Sequence, residues 1–226
     1  MTDRDYLKHW TPGGSQTRSK RDVFDEPQTV IGAQGAYVRG ALNKPGGERR
    51  YIDWMAALAS VGLGYANDDV DKAVVAVMMR GVALPLPTLL EGEVAEQLCG
   101  ALGWPQQVRW VKTGSEATDG AMLIARAATG RRKIVSIGYH GWHCAHLPGP
   151  ELVTVPWGSW AWELVVDCVT AAVLLEPLRD SAPPDGYLES LRGHCYAVGA
   201  LLIMDEVVTG FRWAIGGATE SLKLPP

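Results

Sequence analysis

The sequence predicts a layered α/β fold: a mostly parallel sheet with helices on both faces, plus a small antiparallel element near the N-terminus. Three observations predict it. From residue 107 to 205, short apolar runs alternate with helical stretches, as strand–helix–strand units do. The runs KIVSI (133–137), AAVLLEP (171–177) and LLIMD (201–205) are almost continuously apolar, as parallel strands covered on both faces are. Nearer the N-terminus, AYV (36–38) and RYID (50–53) are short strand-like pieces separated by a PGG turn, which suits a hairpin.

A chain of 226 residues with 47% hydrophobic content is long enough for one sizeable core and a small satellite. We expect the division at 1–67, an N-terminal arm and small-domain segment, and 68–226, a portion of a larger domain. A net charge of -4 with no Lys/Arg block argues against nucleic acid as a partner. No apolar stretch reaches spanning length, so no membrane partner is expected. The opening MTDRDYLKHW lacks the apolar core of a signal peptide. Cys99, Cys144, Cys168 and Cys195 form no C-x-x-C pair, so reduced thiols in a cytoplasmic protein are expected.

Residues 1–30 are polar and broken by TPGG, which predicts a short helix and then an extended arm. The segment WMAALASVGLGYAN (54–67) reads as a loop whose Gly62 and Gly64 allow close backbone approach. DDVDKAVVAVMMRG (68–81) has helical periodicity, with Val70, Val74, Val77 and Met78 on one face. EGEVAEQLCGALG (91–103) is a second helix, acidic in its first turn and stopped by Gly103. QVRWV (107–111) reads as a strand, and SEATDGAMLIARAATG (115–130) as a helix ended by Gly130. The inward face of that helix is expected to carry Ala117, Ala121, Ile124, Ala125 and Ala128. LVTVP (152–156) is a further short strand and YLESLRGHCYAVGA (187–200) a further helix. SLKLPP, the final six residues, offers neither helix nor strand, so the predicted sheet is incomplete.

Four places carry chemistry. At Thr113-Gly114-Ser115-Glu116 a strand turns on glycine into a helix start, whose unpaired N–H groups and partial positive charge suit an anion, most naturally a phosphate. A plain serine N-cap explains the same residues. The spacing matches neither a nucleotide P-loop nor a dinucleotide fingerprint. Tyr139-His140-Gly141-Trp142-His143 follows KIVSI and suits stacking on a planar ligand. The spacing of His140, His143 and His146, with Cys144 between, also leaves open a zinc site, or a buried loop of hydrogen-bonded imidazoles. Asp205-Glu206 ends the strand LLIMD, where open parallel sheets place ligands. Such a carboxylate holds a cationic group or a metal, or pairs within its own loop with Arg212. Glu176, at the end of another buried strand, needs a backbone, arginine or ligand partner. A phosphate cradle, an aromatic platform and a strand-end aspartate together suit a flat, phosphorylated, cationic heterocycle. Pyridoxal 5'-phosphate is one: a carboxylate at its ring nitrogen keeps the ring cationic and electron-withdrawing.

The ordered motifs VKTGSEATD (111–119), YHGWH (139–143), LLEP (174–177) and DEVVTGFR (205–212) resemble the class-III aminotransferases of PLP-dependent transferase fold type I. The likeness is nearest to the glutamate-1-semialdehyde 2,1-aminomutase branch. PGGSQTRSK (12–20), GAYV (35–38) and YIDW (51–54) also look like that group. The resemblance implies that Gly114, Ser115 and Glu116 cradle the phosphate. It further implies that Tyr139 stacks on the ring, with His140 and Gly141 shaping that wall. Asp205 would pair with the ring nitrogen, Val207 would pack on the opposite face, and Glu176 would lie near the ring oxygen. Asp205, Tyr139 and Glu176 are the catalytic candidates. Ser15 to Arg18 and Trp54 to Ser60 would line the substrate entrance, and Arg212 would hold the Asp205 loop.

Family members are roughly twice this length, and their Schiff-base lysine follows the DEVVTGFR-type motif by some tens of residues. Lys223 is too near the motif, and Lys112 and Lys133 match non-catalytic positions. Residues 38–50 replace the family's usual hairpin with something longer. The resemblance therefore implies the N-terminal half of a split enzyme. A complementary C-terminal polypeptide would carry the lysine, a further dimer of the assembled unit would form, and the substrate would be a small amino compound. A fragment of a longer aminotransferase, a non-catalytic scaffolding half-fold, and a zinc hydrolase on His140, His143 and Asp205 are the alternatives.

Overall fold

The computed structural model describes residues 2–16, 20, 29–42, 46–143 and 151–224. The chain divides into two compact units, Met1–Leu86 and Pro87–Pro226.

The first unit opens with helix α1 (Asp3–Trp10), as the polar start predicts. Its capping box is reciprocal: the Thr2 hydroxyl accepts from the Asp5 amide at 3.1 Å, and the Asp5 carboxylate accepts from the Thr2 amide at 2.9 Å. The antiparallel element has three strands, β1 (Thr29–Gln34), β2 (Tyr37–Ala41) and β3 (Glu48–Ile52), in that order. β2 and β3 are the expected pair. β1 begins in the last two residues of the stretch read as an arm and runs on through 31–34, for which the sequence suggests no element, because Gly32 and a bulge between Val30 and Gly32 break the alternation that marks a strand.

Residues 54–67 form the expected glycine loop. Tyr65 bridges back to Gly35, and a Cβ on Gly64 would lie 3.0 Å from the Gly35 backbone, so a side chain there would collide. The Tyr65 hydroxyl donates to Asp53 at 2.6 Å, which holds the Asp53 carboxyl below its usual range and raises the phenol. Ala56, Ala57, Leu58 and Ala59 all have positive φ, from 44° to 65°, a left-handed turn of non-glycine residues. Helix α2 (Asp68–Met78) starts where the Asn67 side chain accepts from the Val70 amide. The shared face of Val70, Val74, Val77 and Met78 is exposed.

The second unit begins with α3 (Leu89–Leu102), closed by Thr88 and Glu91 at its start and by left-handed Gly103 at its end. Then come α4 (Gly114–Thr129), β4 (Lys133–Ile137), β5 (Leu152–Val155), β6 (Thr170–Leu175), α5 (Tyr187–Val198), β7 (Leu201–Met204) and α6 (Gly217–Ser221). The strands form one all-parallel sheet in the order β5-β4-β6-β7. Alternation along the strands divides the core into two layers. Ile134, Ala172 and Leu174 pack with Met122 and Ala125 of α4. Val135, Ile137, Val173 and Leu175 pack with Tyr187, Leu188, Leu191 and Cys195 of α5 and with Trp162. Helices therefore cover both faces, as predicted. Burial pushes the Cys195 thiol up to about 12, which keeps it protonated and unreactive.

Three sequence expectations need correction here. Residues 107–111 are not a strand: among the described residues they have no ladder partner, and composition alone cannot make a ladder. The inward face of α4 is Thr118, Met122 and Ala125. Ala125 was expected there, but Ile124 points outward and is 65% exposed, because a run of alanines gives little periodic contrast and bulky Met122 claims the core. α6 was not anticipated, since its first residues are glycine and alanine with no capping side chain beside them.

The left-handed turn gives a stability test. Ala57→Gly relieves the Cβ–carbonyl crowding at φ 49° and should stabilise the first unit by about 1 kcal/mol. Ala57→Val should lower stability. Thermal unfolding of the two variants reads both signs.

Candidate functional site

The site is assembled at the carboxyl ends of three adjacent strands and the amino end of α4. β4 runs out into Gly138-Tyr139-His140, β6 into Glu176 and β7 into Asp205. The Asp205 amide still bonds the Leu175 carbonyl at 2.8 Å, so the aspartate stands at the last rung of the sheet.

Asp205 and His140 are both buried and meet each other, with Nδ1 2.7 Å from Oδ2. Nε2 of His140 lies 3.0 Å from the Ile137 carbonyl. The Ile137 carbonyl can only accept, so Nε2 donates to it and Nδ1 faces the Asp205 carboxyl group. The other Asp205 oxygen, Oδ1, accepts from the Val207 amide at 3.0 Å. A carboxylate this deep is stabilised by these two partners.

The glycine turn meets the same group. A Cβ on Gly114 would lie 2.9 Å from Cγ1 and 3.0 Å from Cγ2 of Val207, so the two residues are already in close contact. Thr113 caps α4, its hydroxyl accepting from the Glu116 amide at 3.2 Å. The Glu116 carboxylate turns back to accept from the Lys112 and Thr113 amides, at 2.8 and 2.9 Å, which holds it below the usual carboxylate range. Its side chain thus completes a capping box, and the amides of Gly114 and Ser115 remain at the helix start for an anion.

Tyr139 presents its ring to the surface, 66% exposed, next to His140 and Gly141. Glu176 is largely buried, and that burial raises its carboxyl above the usual range, against the pull of the Arg179 guanidinium. Arg179 Nε lies 3.3 Å from Glu176 Oε1. A Cβ on Gly138, whose φ is 100°, would lie 3.3 Å from an Arg179 nitrogen, so the arginine also lies against the β4 turn. The arginine partner foreseen for Glu176 is therefore Arg179.

Arg212 has no ion pair with Asp205 or Glu206 among the described residues. Glu206 bonds instead to Thr209, Ala218 and Thr219. Among the described residues no group of three His, Cys, Asp or Glu is placed to hold a metal, and His143 pairs with Asp119 at 3.0 Å. Cys144 and His146 lie outside the described residues, as do Thr17 and Arg18 of the expected entrance. Ser15 and Trp54 to Ser60 belong to the first unit, and the Trp54 side chain is exposed.

Two participants were not singled out from sequence. Thr118, buried on α4, donates to the His140 carbonyl at 2.9 Å and so ties the helix to the His140 loop. A threonine four residues after the turn glycine, among alanines, was the available signal. Arg179 was legible only as a cation three residues from Glu176.

The sequence model of the family described as aminotransferase class-III matches residues 26–148, more than half of the chain. This chain belongs to the class-III aminotransferase family. It is 34% identical to a glutamate-1-semialdehyde 2,1-aminomutase of Herminiimonas arsenicoxydans, over 96% of this chain and 57% of that protein. Its fold is similar to an omega-transaminase from Sphaerobacter thermophilus, with TM-score 0.83 and 26% identity, covering 99% of this chain and 58% of the other. It is also similar to the FumI protein of Sphingopyxis sp. MTA144, solved in its PLP internal aldimine form, with TM-score 0.86, 27% identity and the same shares. The chain thus spans 57% of the length of the curated class-III relative it matches. Its two sheets, one antiparallel and one parallel with flanking helices, match fold type I.

Two measurements test this geometry. Gly114→Ala should overpack the Val207 contact and cost about 1–3 kcal/mol, and Gly114→Ala with Val207→Ala should recover part of it in chemical denaturation. Glu176 binds its proton more tightly folded than unfolded, so in the window above 4.5 the folded chain holds more protons and stability falls as pH rises through the raised value. Glu176→Gln lacks that loss. The stability of the variant minus that of wild type should climb from pH 4.5 upward and then level. A flat difference would contradict the assignment.

Proposed function

We propose that this chain forms the cofactor-binding N-terminal half of a pyridoxal phosphate-dependent aminotransferase or aminomutase. Its substrate is an amino acid or amino-carbonyl compound. The observation that carries this reading is the buried His140–Asp205 pair at the strand ends, beside the Gly114–Val207 contact. The residues fit the group. The Gly114 and Ser115 amides would take the phosphate, Asp205 the ring nitrogen, and Tyr139 and Val207 the two ring faces. Glu176 with Arg179 would border the ring oxygen. Bound there, pyridoxal phosphate supplies an electron sink for amine chemistry.

The chain's own residues do the preparatory work. His140 and the Val207 amide fix the two oxygens of Asp205 in place, so the carboxyl group is oriented toward a ring nitrogen that would face it. Thr118 fixes the His140 backbone and thereby the direction of the imidazole. Tyr139 and Val207, both exposed here, would be covered once the cofactor lies between them. The names of the relatives, an aminomutase and an omega-transaminase, support amine exchange as the reaction class.

The lysine that anchors the cofactor comes, on this proposal, from a complementary polypeptide outside these residues. The Lys133 ammonium pairs with Asp167 at 2.9 Å at the amino end of β4, the opposite end of the sheet from Asp205. Lys112 and Lys223 are exposed. The apolar side chains of Leu123, Ile124, Leu201 and Phe211 are also uncovered, as surfaces awaiting a neighbour are. The assembled unit is expected to dimerise further.

Co-expression with a polypeptide equivalent to the rest of the relatives' length should give a complex that absorbs as a pyridoxal phosphate enzyme. Borohydride reduction and peptide mass spectrometry should then find the cofactor on a lysine outside residues 1–226. A label on Lys112, Lys133 or Lys223 would contradict the proposal. Asp205→Ala should abolish amine exchange while the complex still assembles. Full activity in Asp205→Ala would show that Asp205 is not the ring-nitrogen partner. A colourless assembled complex would favour the scaffolding alternative.

A further inference from the structure

Glu206 stands next to Asp205, and nothing in the proposed chemistry uses it. Its carboxylate accepts from the Ala218 amide at 3.0 Å and the Thr219 amide at 2.7 Å, and from the hydroxyls of Thr209 and Thr219. Ala218 and Thr219 lie in the first turn of α6, whose N-cap position is Gly216, a residue with no side chain to cap it. Glu206 therefore caps α6 from 12 and 13 residues upstream. The sequence around the contact is shaped to admit it. Gly217 has φ 72°, and a Cβ there would lie 2.3 Å from Glu206 Oε2, so a larger residue would displace the carboxylate. The Gly210 amide bonds the Glu206 carbonyl at 2.8 Å, closing a second turn from the same residue.

One side chain thus pins both ends of the loop from 205 to 217. That loop carries Val207, whose methyl groups rest on Gly114 and whose amide bonds Asp205. We propose that Glu206 is the positioning residue of the site: by capping α6 it holds Val207 against the Gly114 turn. It thereby sets the spacing between the anion-binding turn and the wall of the ring pocket. The effect on cofactor rests on the function proposed above; the effect on Val207 does not.

The test uses the full chain with its complementary polypeptide and has two readouts. By NMR, the wild type should show a nuclear Overhauser contact between a Val207 methyl and the Gly114 α-protons. Glu206→Ala should lose it, and the isosteric Glu206→Gln, which keeps one acceptor oxygen, should restore it in part. If the alanine variant does not fold, the glutamine variant decides, through a weakened contact. Titration with pyridoxal phosphate should give about tenfold weaker binding for Glu206→Ala, the scale expected for losing charge-assisted hydrogen bonds that act indirectly. Persistence of the Val207–Gly114 contact in Glu206→Ala overturns the proposal, as does loss of the contact with unchanged affinity. If the wild-type complex binds no pyridoxal phosphate, the proposed function fails, and the NMR contact alone then decides the role of Glu206.

Discussion

A buried hydrogen-bonded pair organises the second unit. Asp205 and His140 come from the ends of two strands separated in the sheet by β6, and they meet at 2.7 Å away from solvent. A carboxyl group or an imidazole left without a partner in that position would be expensive. Each makes the other tolerable, and each is held by a further backbone contact, the Val207 amide for one and the Ile137 carbonyl for the other. Everything else near the strand ends is arranged around this pair. Thr118 ties α4 to the His140 backbone, Val207 leans on the α4 turn, and Glu206 fixes the loop that carries Val207. The result is a buried carboxyl group, bonded through both oxygens, at the carboxyl edge of a parallel sheet, beside a helix start suited to an anion.

Much of this was legible in the sequence, for identifiable reasons. The strands of the parallel sheet are apolar on both faces, so KIVSI, AAVLL and LLIM stand out without any need for alternation. The helix that begins at Gly114 announces itself through its glycine turn and closes at Gly130, where a left-handed residue is required. Asp205, Glu176 and Tyr139 stand out because each lies just beyond an apolar run. What was not legible depends on partners distant in sequence. The pairing of His140 with Asp205 spans 65 residues, and the capping of α6 by Glu206 joins residues whose local context gives no hint of each other. The face of α4 was misjudged because alanines carry almost no directional information. Residues 107–111 have strand composition, yet a ladder needs a neighbouring backbone, which no propensity can supply.

The two edges of the parallel sheet differ. At β5 the side chains of Leu152 and Val155 are buried, whereas at β7 Leu201 is open and the following loop exposes Val207, Phe211 and Trp213. α3 has no buried residue despite its apolar composition. The resemblance to solved relatives covers nearly all of this chain and 58% of two of theirs. In the proposal, a complementary polypeptide covers these surfaces and supplies the anchoring lysine.

The central claim is that Asp205, backed by His140, holds a positive charge on the ring nitrogen of a bound pyridoxal phosphate. The direct measurement is the nitrogen NMR signal of cofactor labelled with 15N in its ring, bound to the assembled complex at neutral pH. The account predicts the signal of a protonated pyridine. An unprotonated pyridine signal, with the cofactor fully bound, would contradict it.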